Sequence, residues 1–163
     1  MINIMIKFLN QSVFLFFGIF LLSASCKTPK VDNLQITPWY PEKNQAGEPV
    51  KAVFESRVPC PDCHRLKLAI AFYGKPQDNL PATYTMSRVY VGKNDDRLTN
   101  TGRVIIKYGT ALNIEHTVYQ LTDAANGFQY FWKMTDSLLF VLDGKLSPKV
   151  GDAGQGYVLN RVN

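Results

Sequence analysis

From about residue 50 onward, apolar and polar residues alternate with period two, and no stretch sustains a helical period. Ala52 and Phe54 open a first strand. Leu66, Leu68, Ile70 and Phe72 alternate with Lys67, Ala69 and Ala71 in a second, the cleanest strand pattern in the chain. A break follows over Gly74 to Asn79. Thr83–Val91, rich in β-branched and aromatic residues, is a third strand, and Gly92-Lys93-Asn94-Asp95-Asp96 reads as a turn. Arg103–Tyr108 is a fourth, with Val104, Ile106 and Tyr108 on one face. Leu112, Ile114 and Val118 mark a fifth. Phe128, Tyr130, Trp132 and Met134 share a face of a sixth, and Leu138–Leu142 is a short seventh before the hairpin-type pair Asp143-Gly144. Tyr157–Val162 is the eighth. Short, evenly spaced strands between Gly, Asn and Asp turns predict an all-β fold, a small antiparallel meander β-barrel over residues 50–163. Its expected core is Leu66, Leu68, Ile70, Phe72, Tyr130, Trp132 and Phe140.

The first 25 residues follow a different pattern. Lys7 precedes an apolar run, Val13–Leu22, which ends in Ser23-Ala24-Ser25 and then Cys26. That run is too short to span a bilayer, which takes roughly 20 residues, but it has the length of a signal-peptide core. A cysteine directly after small residues resembles a bacterial lipobox. Residues 1–25 are therefore expected to be a lipoprotein signal, with Cys26 as the lipidated N-terminus. Pro29, Pro38, Pro41 and Pro49 then interrupt a polar stretch, which predicts an extended tether over 26–49. Trp39-Tyr40 is more apolar than a tether requires, and either docks on the domain or meets the membrane interface.

The chain carries 18 Lys and Arg against 13 Asp and Glu, a formal charge of +5. The excess is scattered, with no basic run to track phosphates, so nucleic acid is not an expected partner. G-x-S-x-G, H-E-x-x-H and a phosphate-cradling glycine loop are all absent, and the reading is non-enzymatic.

The chemistry concentrates in Val58-Pro59-Cys60-Pro61-Asp62-Cys63-His64. A C-x-x-C pair can close a disulfide, hold a soft metal, or exchange disulfides. An oxidising envelope favours a disulfide at rest. Two thiolates also suit Cu(I), which accepts near-linear two-coordination. Thiol exchange usually places its first cysteine at a helix N-terminus, and no helix pattern follows Cys63. His64 is either a further metal ligand or a polar residue at the loop's exit. Asp62 is expected to cap the loop through backbone N–H groups. His116 falls in phase with Leu112, Ile114 and Val118, which leaves it interior, lining a lumen, or turned outward by a bulge. Met86 and Met134 lie in separate strands and form no methionine-rich copper motif.

With strands on both sides of the loop, V-P-C-P-D-C-H-R-L-K-L-A-I-A-F resembles the opening signature of the N-terminal domain of NlpE-type copper-resistance lipoproteins. Tyr108-Gly109-Thr110, Leu142-Asp143-Gly144 and Tyr157-Val158-Leu159-Asn160-Arg161 follow in the same order. Arg65 stands where a glycine is common in that family, and Ala111 where a tryptophan is usual. The resemblance implies a lipocalin-like barrel, lipid-anchored in the bacterial envelope, in the outer membrane and facing the periplasm. It implies copper tolerance and envelope-stress sensing with a signalling partner, and Cys60 and Cys63 as the matching thiol pair. The other reading of the same barrel is a module that holds a small apolar ligand inside, its disulfide purely structural.

Overall fold

The computed structural model describes residues 38–124, 128–151, 154 and 156–163. The signal, Cys26 and tether residues 26–37 lie outside the described residues. Eight antiparallel strands run in sequence order: β1 (Val50–Val58), β2 (Arg65–Tyr73), β3 (Thr83–Val91), β4 (Arg97–Tyr108), β5 (Thr117–Leu121), β6 (Tyr130–Lys133), β7 (Leu138–Leu142) and β8 (Val158–Arg161). Each pairs with the next, and β8 returns to β1 through Phe54–Arg161 and Glu55–Asn160 to close the barrel. The meander follows from the turns, since the connections from β1 through β7 are too short to carry a crossover, and the longer β7–β8 connection still returns β8 beside β7.

One phase of each strand points inward. Phe54, Leu66, Leu68, Ile70, Phe72, Tyr84, Met86, Tyr119, Phe131, Leu139, Val141 and Leu159 belong to one continuous buried cluster. Phe72 packs edge-on against both Phe54 and Tyr119, with ring centroids 6.0 and 5.3 Å apart. These rings floor a cavity of about 130 Å³ rimmed by Lys133, Asp136 and Arg161. Sites for drug-sized ligands run to roughly 300 Å³ or more, so this opening does not favour a small-ligand lumen.

The structure moves several expected elements. Leu66, Leu68, Ile70 and Phe72 are buried as expected. In β6 and β7 the phase is reversed: Phe131, Leu139 and Val141 point inward at 0% exposure, while Tyr130, Trp132 and Phe140 lie half-buried on the outer face. Both phases of β7 are apolar, so alternation sets no direction there. In β6 the inward phase of Phe131 also carries Lys133, which reaches the rim of the inner cavity, so alternation points to the wrong face. The fifth strand begins at Thr117, and Leu112 and Ile114 stand exposed in the preceding loop. Gly109, at φ 97°, ends β4. Beyond it the Thr110 hydroxyl accepts the Leu112 N–H and the Asn113 side chain accepts the Glu115 N–H, and both bonds hold a turn. Asp143-Gly144 is likewise no two-residue hairpin, because the Asp143 carboxylate accepts the N–H groups of Lys145 and Ser147 and organises a wider loop.

The compact unit starts at Pro38, not at residue 50. Val53, Ala71 and Tyr73 point outward, are fully buried, and need cover. Trp39, Tyr40 and Val50 supply it. Tyr73 donates its hydroxyl to the Pro41 carbonyl, the Trp39 indole N–H reaches Glu55, and the Asn44 amide reaches Thr83. Of the two placements open to Trp39-Tyr40, the structure has the one on the domain.

Candidate functional site

Pro59 has no N–H to continue the ladder, and β1 ends at Val58. Cys60 follows, packed partly against the inner cluster. The chain turns through Pro61 and Asp62, and at His64 its N–H meets the Val91 carbonyl at 2.9 Å, re-entering the sheet as β2. Cys60 and Cys63 are joined as a disulfide, with Cα atoms 5.3 Å apart, inside the ordinary range for such bridges. Apart from Cys60 and Cys63, which are half-buried, the loop from Pro59 to His64 is exposed.

The β3–β4 turn braces it from the side. In an up-and-down meander alternate connections share one end of the barrel, which brings Gly92–Asp96 against the cysteine loop. Lys93 donates to the Asp62 carboxylate in an exposed ion pair. That hydrogen bond, and then the Coulomb attraction, hold Asp62 below the usual carboxylate range and Lys93 above the usual lysine range. Asp62 therefore binds a side chain, where the sequence pointed to backbone N–H groups. Asp62 Oδ1 also lies 3.5 Å from the Cys60 sulfur. An oxidised sulfur has no proton to donate, so this is a contact that becomes electrostatically active only after reduction.

His64 lies over Gly92: a Cβ placed there would fall 2.1 Å from its Cδ2. At φ 82° a glycine suits the turn, and its bare backbone makes room for the imidazole. Among the described residues no three His, Cys, Asp or Glu side chains gather as a metal-holding set. The donor set at the loop is thus the two sulfurs, available once reduced. His116 is far from such a role. It stacks on Trp132 on the outer face, with centroids 4.1 Å apart and planes at 16°, and its Nδ1 lies 2.9 Å from the Thr110 hydroxyl.

Lys93 and Gly92 are the site residues that sequence reading missed. Their signal was available in the meander itself, which sets the first and third connections side by side.

The family model described as NlpE N-terminal domain matches residues 54–152, from mid-β1 into the β7–β8 connection. The chain belongs to this family. NlpE membership makes it an NlpE-like envelope lipoprotein, in a family that is not one of enzymes. A crystal structure of a protein described as a lipoprotein from Shewanella oneidensis is similar at 15% identity and a TM-score of 0.48. The match covers 75% of this chain and 97% of that one. Comparison with curated proteins finds no significant match.

Proposed function

We propose that this NlpE-type protein is exported, anchored through lipid on Cys26, and senses or buffers copper at Cys60 and Cys63. In this reading residues 1–25 are the signal, and the barrel faces the periplasm from the outer membrane. It passes copper or redox stress to an envelope signalling partner. At rest the pair is the disulfide. A thiol reductant supplies two electrons and two protons to open it, and the two sulfurs then release both protons to take Cu(I). Thiolates are the donors that soft ions select, and proton release makes uptake weaken as pH falls.

The observation that carries this reading is the position of the sulfurs. They sit in an exposed loop at one end of the barrel, braced by Lys93 and Gly92, and not at the centre of the core. Opening the S–S bond changes the loop and leaves eight paired strands intact. His64 is held over Gly92, which favours a site of two sulfurs alone. Cu(I) titration of the reduced protein against a competing chelator tests it. The expected result is tight uptake of one equivalent by the wild type and none above background by Cys60→Ser/Cys63→Ser. Equal uptake by both would remove the cysteines from the site.

A further inference from the structure

The outward face of β1–β4 carries a row of cations that the fold does not need. Arg57 stands directly opposite Lys67 on β1 and β2, Lys67 opposite Val89, and Val89 opposite Arg97. Like charges paired across a ladder destabilise a sheet. Among the described residues none of the three forms an ion pair. The nearby Glu55 is engaged with the Trp39 indole. The Arg97 guanidinium is fixed by a 2.8 Å bond to the buried Ser87 hydroxyl. Together these residues line a hollow of about 410 Å³, with Trp39 as one wall.

The same face continues in hydroxyls, with one further cation, Arg103, at its far end. Along β3–β4 the next opposed pairs are Ser87 with Thr99, Thr85 with Thr101, and Thr83 with Arg103. Their outer side is walled by the docked segment, where Trp39, Pro41 and Ala46 enclose a second, mostly apolar hollow of about 510 Å³. Trp39 borders both. From the Val89–Arg97 pair to the Thr83–Arg103 pair is six residues of strand, roughly 20 Å. That length accommodates one acyl chain, since a single leaflet's hydrocarbon is roughly 15 Å thick. An acidic peptide would satisfy the cations but not the apolar half.

We propose that this groove binds a single-chain anionic amphiphile, its acidic head on Arg57, Lys67 and Arg97 and its acyl chain running past Trp39 along the threonine rows. The segment over 38–49 is then the wall of a ligand site. The inference stands apart from the cysteine chemistry and survives its failure.

The test uses the full chain in phosphatidylcholine nanodiscs with a C16 fatty acid that bears a diazirine at its chain end. After illumination, adducts are mapped by peptide mass spectrometry. They are expected to concentrate in residues 41–46, 83–85 and 101–103, and to fall at least fivefold with excess palmitate but not with lysophosphatidylcholine. Lys67→Glu/Arg97→Glu is expected to cost at least fivefold in labelling. If that variant melts early, Lys67→Gln/Arg97→Gln replaces it, with the same expectation. Adducts spread evenly over the barrel, or labelling indifferent to charge removal, would overturn the proposal. So would equal competition by lysophosphatidylcholine, which marks apolar docking alone, or by inorganic phosphate, which marks a free-anion site.

Discussion

Asp62 touches two partners of opposite consequence: the Lys93 ammonium, which keeps it ionised, and the Cys60 sulfur 3.5 Å away. Its pKa lies below the ordinary 3.8, so the pair's contribution is present above that value and is lost as pH falls through the depressed one. Lys93 lies above its ordinary 10.5, so its contribution is present below 10.5 and is lost as pH rises through the raised value. The brace is therefore in place across the neutral range. Once the disulfide opens, the Asp62 charge opposes thiolate formation at Cys60, while Lys93 favours it. At about 4 Å in water two unit charges interact by ~1 kcal/mol, which is about fivefold in an equilibrium. Asp62→Asn should thus speed iodoacetamide alkylation of the reduced loop at neutral pH, by up to about fivefold, and Lys93→Ala should slow it. An Asp62→Asn loop that reacts no faster would mean that the carboxylate does not face the sulfur in solution.

At the scale of the strand, legibility depended on whether one face was polar. β2 carries Lys67 between Leu66 and Leu68, and its inward residues were evident from sequence. β7 reads Leu-Leu-Phe-Val-Leu, apolar on both phases, and shows a strand without showing which way it faces. β6 reads Tyr-Phe-Trp-Lys, where Lys133 in the phase of Phe131 makes the inward face look like the outer one. Position in the barrel decides it: Phe131 meets the inner cluster, and Trp132 stacks with His116 outside. The consequence is a reversal of the size rule. Phe131→Ala should cost about 3–5 kcal/mol in urea denaturation. Trp132→Ala, though it removes the larger side chain, should cost less than half as much. Equal losses would return Trp132 to the core. The docked segment was hidden for a related reason. Val53, Ala71 and Tyr73 occupy the outward phase, so an apolar residue there signals a covered face only once the barrel is drawn. The loop over 109–116 was missed because Leu112 and Ile114 keep the alternation going while Gly109, Thr110 and Asn113 turn the chain.

Across the whole molecule, the barrel class and the cysteine pair were both legible, because turn spacing and C-x-x-C are local patterns. The brace on the pair was legible only by way of the predicted meander, since it joins residues 31 positions apart in the first and third connections. Closure also separates stability from chemistry. A disulfide across so short a loop restricts the unfolded chain little, on the order of 1–3 kcal/mol. Each fully buried Leu, Ile or Phe of the inner cluster contributes roughly 1.5–3 kcal/mol, and that cluster draws on every strand but β4, which adds half-buried Val104 and Ile106. Opening the loop should therefore loosen one end of a barrel that stays folded, which a reporter of copper or redox stress requires. Thermal unfolding of the oxidised and reduced protein, followed by near-ultraviolet circular dichroism, measures this directly. The account predicts one cooperative transition in both states, with the reduced midpoint lower by roughly 5–10 °C. A reduced protein with no cooperative transition would make the disulfide a condition of folding and contradict the account.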